Sequence, residues 1–111
     1  MNKICLSHEA QNDLAEIKCY ISKELENPVA AISTIKRITQ TIRLLQAHAE
    51  AGALLSSIAD IDSIYRFLVS GNYMIFYRVN ERNIYVDRIL YGRRDYMRVL
   101  FGDRLRPDEE E

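Results

Sequence analysis

The sequence predicts a small α+β domain, with an N-terminal strand and a helical hairpin packed on a small antiparallel sheet. Three observations point there. Apolar residues recur every three or four positions along two N-terminal stretches, which are split at Asn27-Pro28. Three strand patterns then follow closely in the C-terminal half, with gaps too short for a crossover. A chain of 111 residues, 48% hydrophobic and 28% charged, fits one folded domain with a modest core. The predicted order is β-α-α-β-β-β with a short C-terminal helix. Residues 1–106 form the domain and 107–111 an acidic tail.

Ile4, Cys5 and Leu6 give the first strand its short apolar run. Ser7 follows as a helix N-cap, with Glu9 favourable in the first turn. Leu14, Ile17, Ile21 and Leu25 mark one apolar face of the first helix. Asn27 caps the second helix and Pro28 takes its first position, where a missing N–H does no harm. In that helix Val29, Ile32, Ile35, Ile38, Ile42 and Leu45 form the predicted buried stripe. Lys36, Arg37, Gln40 and Arg43 fall opposite. A connector over 50–63 contains Gly52 and one short helical turn around Leu54, Leu55 and Ile58.

The strand patterns are Ile64–Val69, Tyr73–Val79 and Ile84–Tyr91. Ser70-Gly71-Asn72 and Asn80-Glu81-Arg82-Asn83 supply turn chemistry between them, so an antiparallel meander is expected. Asp95 is placed to cap a last helix carrying Met97, Leu100 and Phe101. The hairpin's apolar faces must bury somewhere, and the sheet is the surface on offer.

Composition excludes several function classes. The formal net charge is −1, and without Asp108, Glu109, Glu110 and Glu111 the body carries +3. Between Arg78 and Arg106 eight arginines face four acids, which is locally basic but far from a strong nucleic-acid footprint. Cys5 and Cys19 lie in apolar-periodic segments and are expected to be free thiols in a reducing cytoplasm. No secretory signal or membrane span is read from the sequence. His8 and His48 lack metal-ligand spacing, so neither metal nor other cofactor is expected. Phosphate loops and nucleophile elbows are likewise missing from the sequence.

Arginine and tyrosine remain. Arg66, Arg78 and Arg88 sit inside strand patterns, so each must reach solvent, pair with an acid such as Asp87 or Asp95, or line a site. Arg93 and Arg94 follow Gly92, which lets the chain turn and aims both off the sheet end. Paired forked donors suit phosphate, carboxylate or an acidic partner segment. Five tyrosines between Tyr65 and Tyr91 fit half-buried strand positions with edge hydroxyls, or stacking on bases.

The Ile64-Tyr65-Arg66-Phe67-Leu68 strand, the Tyr73-Met74-Ile75-Phe76-Tyr77-Arg78-Val79 strand and the Ile89-Leu90-Tyr91-Gly92-Arg93-Arg94-Asp95 exit resemble the RelE/ParE superfamily of bacterial type II toxin–antitoxin toxins. The resemblance implies a cytoplasmic growth-inhibiting toxin, with a part in plasmid stabilisation, neutralised by a cognate antitoxin. Its two main activities differ. ParE-like members inhibit DNA gyrase and are not nucleases; RelE-like members cleave messenger RNA on the ribosome. On the nuclease pattern Arg66 and Arg94 match basic positions, and Tyr96 lies near the catalytic aromatic position. Met74 stands where an arginine is expected, and Leu100 where that aromatic falls. Arginine stabilises charge but shuttles protons poorly. The Gly-Arg-Arg-Asp ending is the more ParE-like. On that reading Arg78, Arg88, Tyr91, Arg93, Arg94 and Asp95 are the residues for target or antitoxin contact. An amphipathic antitoxin segment is expected across the hairpin or sheet, and the hairpin also admits a homodimer. A non-toxic binding module of the same fold is the remaining alternative.

Overall fold

The computed structural model describes residues 1–58, 63–92 and 96–101. Strand β1 (Lys3–Leu6) leads into helix α1 (His8–Cys19), a π-helical turn (Tyr20–Glu24) and helix α2 (Pro28–Arg43). Strands β2 (Ala53–Leu54), β3 (Arg66–Ser70), β4 (Tyr73–Asn80) and β5 (Asn83–Tyr91) follow, then helix α3 (Tyr96–Phe101). The α+β class agrees with expectation, as does the element order apart from the two-residue strand β2 in the connector. The sheet has five strands in the order β1-β5-β4-β3-β2. It is mixed, because β1 runs parallel to β5 while the remaining pairs are antiparallel.

Local chemistry sets the helix starts. The Ser7 hydroxyl accepts from the Ala10 N–H and donates to the Asp87 carbonyl, tying the start of α1 to β5. Phe76 pairs with Arg88 and Tyr77 with Val86, so Asp87 is the extra residue of a bulge. Asn27 Oδ1 accepts from the Ala30 N–H and Pro28 opens α2, both as expected. Glu26 takes a left-handed φ of 52° to make the reversal. Gly71, at φ 59°, does the same in the two-residue turn between β3 and β4.

The main core lies between the hairpin and one face of the sheet. Ala10, Ile38, Ile42 and Leu45 meet Ile75, Tyr77, Ile84, Val86 and Ile89 there. Full burial of side chains such as Ile38 or Leu45 stabilises by roughly 1.5–3 kcal/mol each. On the other face Leu55, Phe76 and Leu90 are buried, and Val99 and Leu100 of α3 pack against them. Alternation along β4 separates the two clusters, with Ile75 and Tyr77 on one side and Phe76 on the other.

Several expectations about burial are corrected. The buried line of α2 runs through Ala31, Ile38 and Ile42 and continues to Leu45 in the 3-10 turn beyond it, whereas Val29 is 77% and Ile32 63% exposed. One residue turns a helix by about 100°, so Ile32 lies well round from Ala31. Leu25, beyond the π-helical turn, is also exposed, as is Cys19; Cys5 is half-buried and both thiols are free.

The connector is more ordered than a loop reading suggests. The Gly52 N–H donates to the Tyr77 hydroxyl, which donates in turn to the Ala49 carbonyl, both at 2.9 Å. A Cβ on Gly52 would stand 2.6 Å from the Phe67 carbonyl oxygen, so no side chain fits. Among the described residues no helix is long and apolar enough to cross a membrane.

Candidate functional site

The three strand arginines point to different places. Arg66 pairs with Tyr77 across β3 and β4, so it lies on the hairpin face of the sheet. Its guanidinium donates to the Gly52 carbonyl at 2.8 Å. Arg78 lies on the opposite side of the pleat. Its Nε is 2.9 Å from Asp87 Oδ2, and its guanidinium stands 4.7 Å over the Tyr85 ring. The Tyr65 hydroxyl donates to the same carboxylate oxygen at 2.8 Å. Burial and the hydrogen bond to Asp87 push the Tyr65 phenol up to about 12.

Arg88 has the most enclosed partner. Its Nε and Nη2 grip the two Asp13 carboxylate oxygens, each at 2.8 Å, and the Ile89 N–H also donates to Asp13 Oδ2 at 2.9 Å. Asp13 is only 6% exposed. The pairing of β1 with β5 ends at Val86, so Asp13 satisfies an edge N–H beyond the last strand partner. The Asp13 hydrogen bond is first among the causes that raise Arg88 further. Asp13 was not among the candidates read from sequence. A signal was available, because Asp13 shares the α1 face of Ala10, Leu14 and Ile17, and a carboxylate on an apolar face needs a partner.

Beside this ion pair a cleft of about 670 Å³ opens between α1, the π-helical turn, the start of α2 and the ends of β4 and β5. Ile17, Ile21 and Leu25 supply its apolar wall. Tyr20, Tyr73 and Tyr91 supply three aromatic rings. Tyr73 and Tyr91 are cross-strand partners whose ring centroids lie 5.8 Å apart, edge to face. Burial raises the Tyr73 phenol first, then the neighbouring Tyr91 and Tyr20.

Tyr91 therefore ends β5 and lines the cleft. Arg93, Arg94 and Asp95 lie outside the described residues. Tyr96 opens α3, a helix that packs through Val99 and Leu100 on the sheet face opposite Arg66. The structure thus brings Arg88 together with Asp13 and Arg78 with Asp87, but does not bring Arg66 to α3. Chemically, the sheet offers few proton shuttles. Burial leads the upward shifts of Tyr65, Tyr73 and Tyr77, which makes these phenols weaker acids than a free tyrosine. Among the described residues no three His, Cys, Asp or Glu side chains are grouped to hold a metal ion.

Similarity to known proteins agrees with this geometry. Residues 4–96 match the family model of the ParE toxin of the type II toxin–antitoxin system parDE. A solved structure, the chromosomal ParDE toxin–antitoxin system from P. aeruginosa, superposes with a TM-score of 0.69 at 22% identity. The match covers 82% of this chain and 96% of that one, and it supports the fold. No curated protein sequence matches the chain. With the family model spanning β1 to the start of α3, the chain belongs to the ParE toxin family of type II toxin–antitoxin systems.

Proposed function

We propose that this toxin arrests growth by inhibiting DNA gyrase rather than by cleaving RNA, and that a cognate antitoxin neutralises it in the cytoplasm. One observation carries the choice between the two activities. Arg66, the basic residue a nuclease site would need, faces the hairpin and is bound to the Gly52 carbonyl, while α3 packs on the other face. Arg66 is therefore turned away from the sheet face on which α3 packs through Val99 and Leu100.

In this reading Tyr91, Arg93, Arg94, Asp95 and α3 make target or antitoxin contact. Arg78 and Arg88 are held in ion pairs and position the strands that lead there. The exposed Leu25, Val29 and Ile32 give an antitoxin apolar surface on the hairpin, and the same patch admits self-association. The test is pulse labelling after inducing the chain alone in bacteria. Early loss of thymidine incorporation is expected. Early loss of methionine incorporation with thymidine sustained would reverse the assignment.

A further inference from the structure

The cleft beside Asp13 has a one-sided chemistry. Among the described residues no lysine, arginine or histidine lines it, and its polar wall carries the carboxylates of Asp13 and Glu16. Asp13 is fully engaged by Arg88 and the Ile89 N–H, which neutralises the nearest cation. Glu16 is exposed and makes no direct ion pair among the described residues, and only at longer range does its charge act on Arg88. Three tyrosines converge on the same space. Tyr73 and Tyr91 come from facing strands. Tyr20 comes from the π-helical turn, whose wider winding lets Ile21 point into the core while Tyr20 stays 54% exposed. Aromatic faces beside an unpaired carboxylate attract a cation, best a planar guanidinium that can stack and donate at once.

We propose that this cleft is a guanidinium-binding site, and that it accepts an arginine side chain of the antitoxin's amphipathic segment. The occupant rests on the antitoxin reading above; the cleft's chemistry does not. The volume, about 670 Å³, leaves room for that arginine and for apolar neighbours one helical turn away against Ile17, Ile21 and Leu25. Charge complementarity makes the choice of occupant: a neutral apolar segment would leave the Glu16 carboxylate beside it unpaired.

Two measurements test this on the full chain. In the first, N-acetyl-arginine amide is titrated while the tyrosine ring resonances are followed by NMR. Shifts confined to Tyr20, Tyr73 and Tyr91 are expected, and the citrulline analogue should give none. In the second, antitoxin affinity is compared between the native chain and Glu16→Lys, with Glu16→Gln as the milder variant and thermal melts as the folding check. A loss of at least tenfold for Glu16→Lys is expected, recovered when one antitoxin arginine is changed to glutamate. Rings that do not respond to the arginine probe, or undiminished affinity for Glu16→Lys, would overturn the proposal. So would a probe response that appears only when Arg93 and Arg94 are replaced by alanine, because the cleft would then be filled by the chain's own exit. An antitoxin that fails to bind the native chain would sink the neutralisation reading and the occupant together. The ring shifts would still report whether the cleft takes a guanidinium.

Discussion

Removing the Asp13 carboxylate should unlock α1 from the edge of the sheet. In Asp13→Ala, Arg88 loses two hydrogen bonds of 2.8 Å and the Ile89 N–H loses one of 2.9 Å. Asp13 is 6% exposed and the Arg88 side chain 23%, so water replaces these bonds only in part. Breaking a buried pair from one side costs about 3–5 kcal/mol, a large share of a small domain's stability. At roughly 4 °C per kcal/mol for a chain of this size, the Tm should fall by about 12–20 °C. The double variant Asp13→Leu/Arg88→Met should lose much less, because no charge is left stranded. Urea unfolding followed by circular dichroism gives both values, and the coupling follows from a double-mutant cycle. A single variant within about 1 kcal/mol of the native chain would refute the reasoning. So would a double variant no better than Asp13→Ala.

Other predictions follow from the same contacts. Gly52→Ala places a Cβ within 2.6 Å of the Phe67 carbonyl oxygen and 2.7 Å of the Tyr77 hydroxyl, so unfolding experiments should show a loss of about 1–3 kcal/mol or more. Tyr77→Phe strips the acceptor from the buried Gly52 N–H, and a loss of about 1–3 kcal/mol is expected in urea titrations. Tyr65 titrates near 10 when unfolded and about 12 when folded, so the folded state holds its proton longer. Its contribution is complete below pH 10 and fades as the pH rises toward 12; a Tyr65→Phe chain should show a shallower alkaline decline in melting temperature. Val29→Lys and Ile32→Lys should each change stability by no more than about 0.5 kcal/mol, since both positions face water.

What the sequence reveals is what local pattern encodes. Asn27-Pro28 marks the reversal between the helices because capping and a missing N–H are properties of those residues themselves. The meander is legible from alternation and turn residues, and Tyr91 is legible as the end of a strand. Distant partnerships are not. The Arg88–Asp13 pair spans 75 residues, and nothing near Arg88 in the chain announces Asp13. Parallel pairing of β1 with β5 depends on where the chain returns after the whole hairpin and meander. Strand β2 is two residues long, too short for alternation to register. Val29 and Ile32 look like core because residue type records hydrophobicity, not whether a partner surface reaches it. Arg66 illustrates the same limit at the candidate site. Its position in a strand pattern is readable, but the sheet face it takes and the Gly52 carbonyl it binds follow from register.

The most direct test of the account is a supercoiling assay with purified toxin, gyrase and relaxed plasmid, with and without antitoxin. The account predicts that the toxin blocks supercoiling in proportion to its concentration and that the antitoxin relieves the block. Unimpaired supercoiling, together with cleavage of messenger RNA on purified ribosomes by the same preparation, would contradict it.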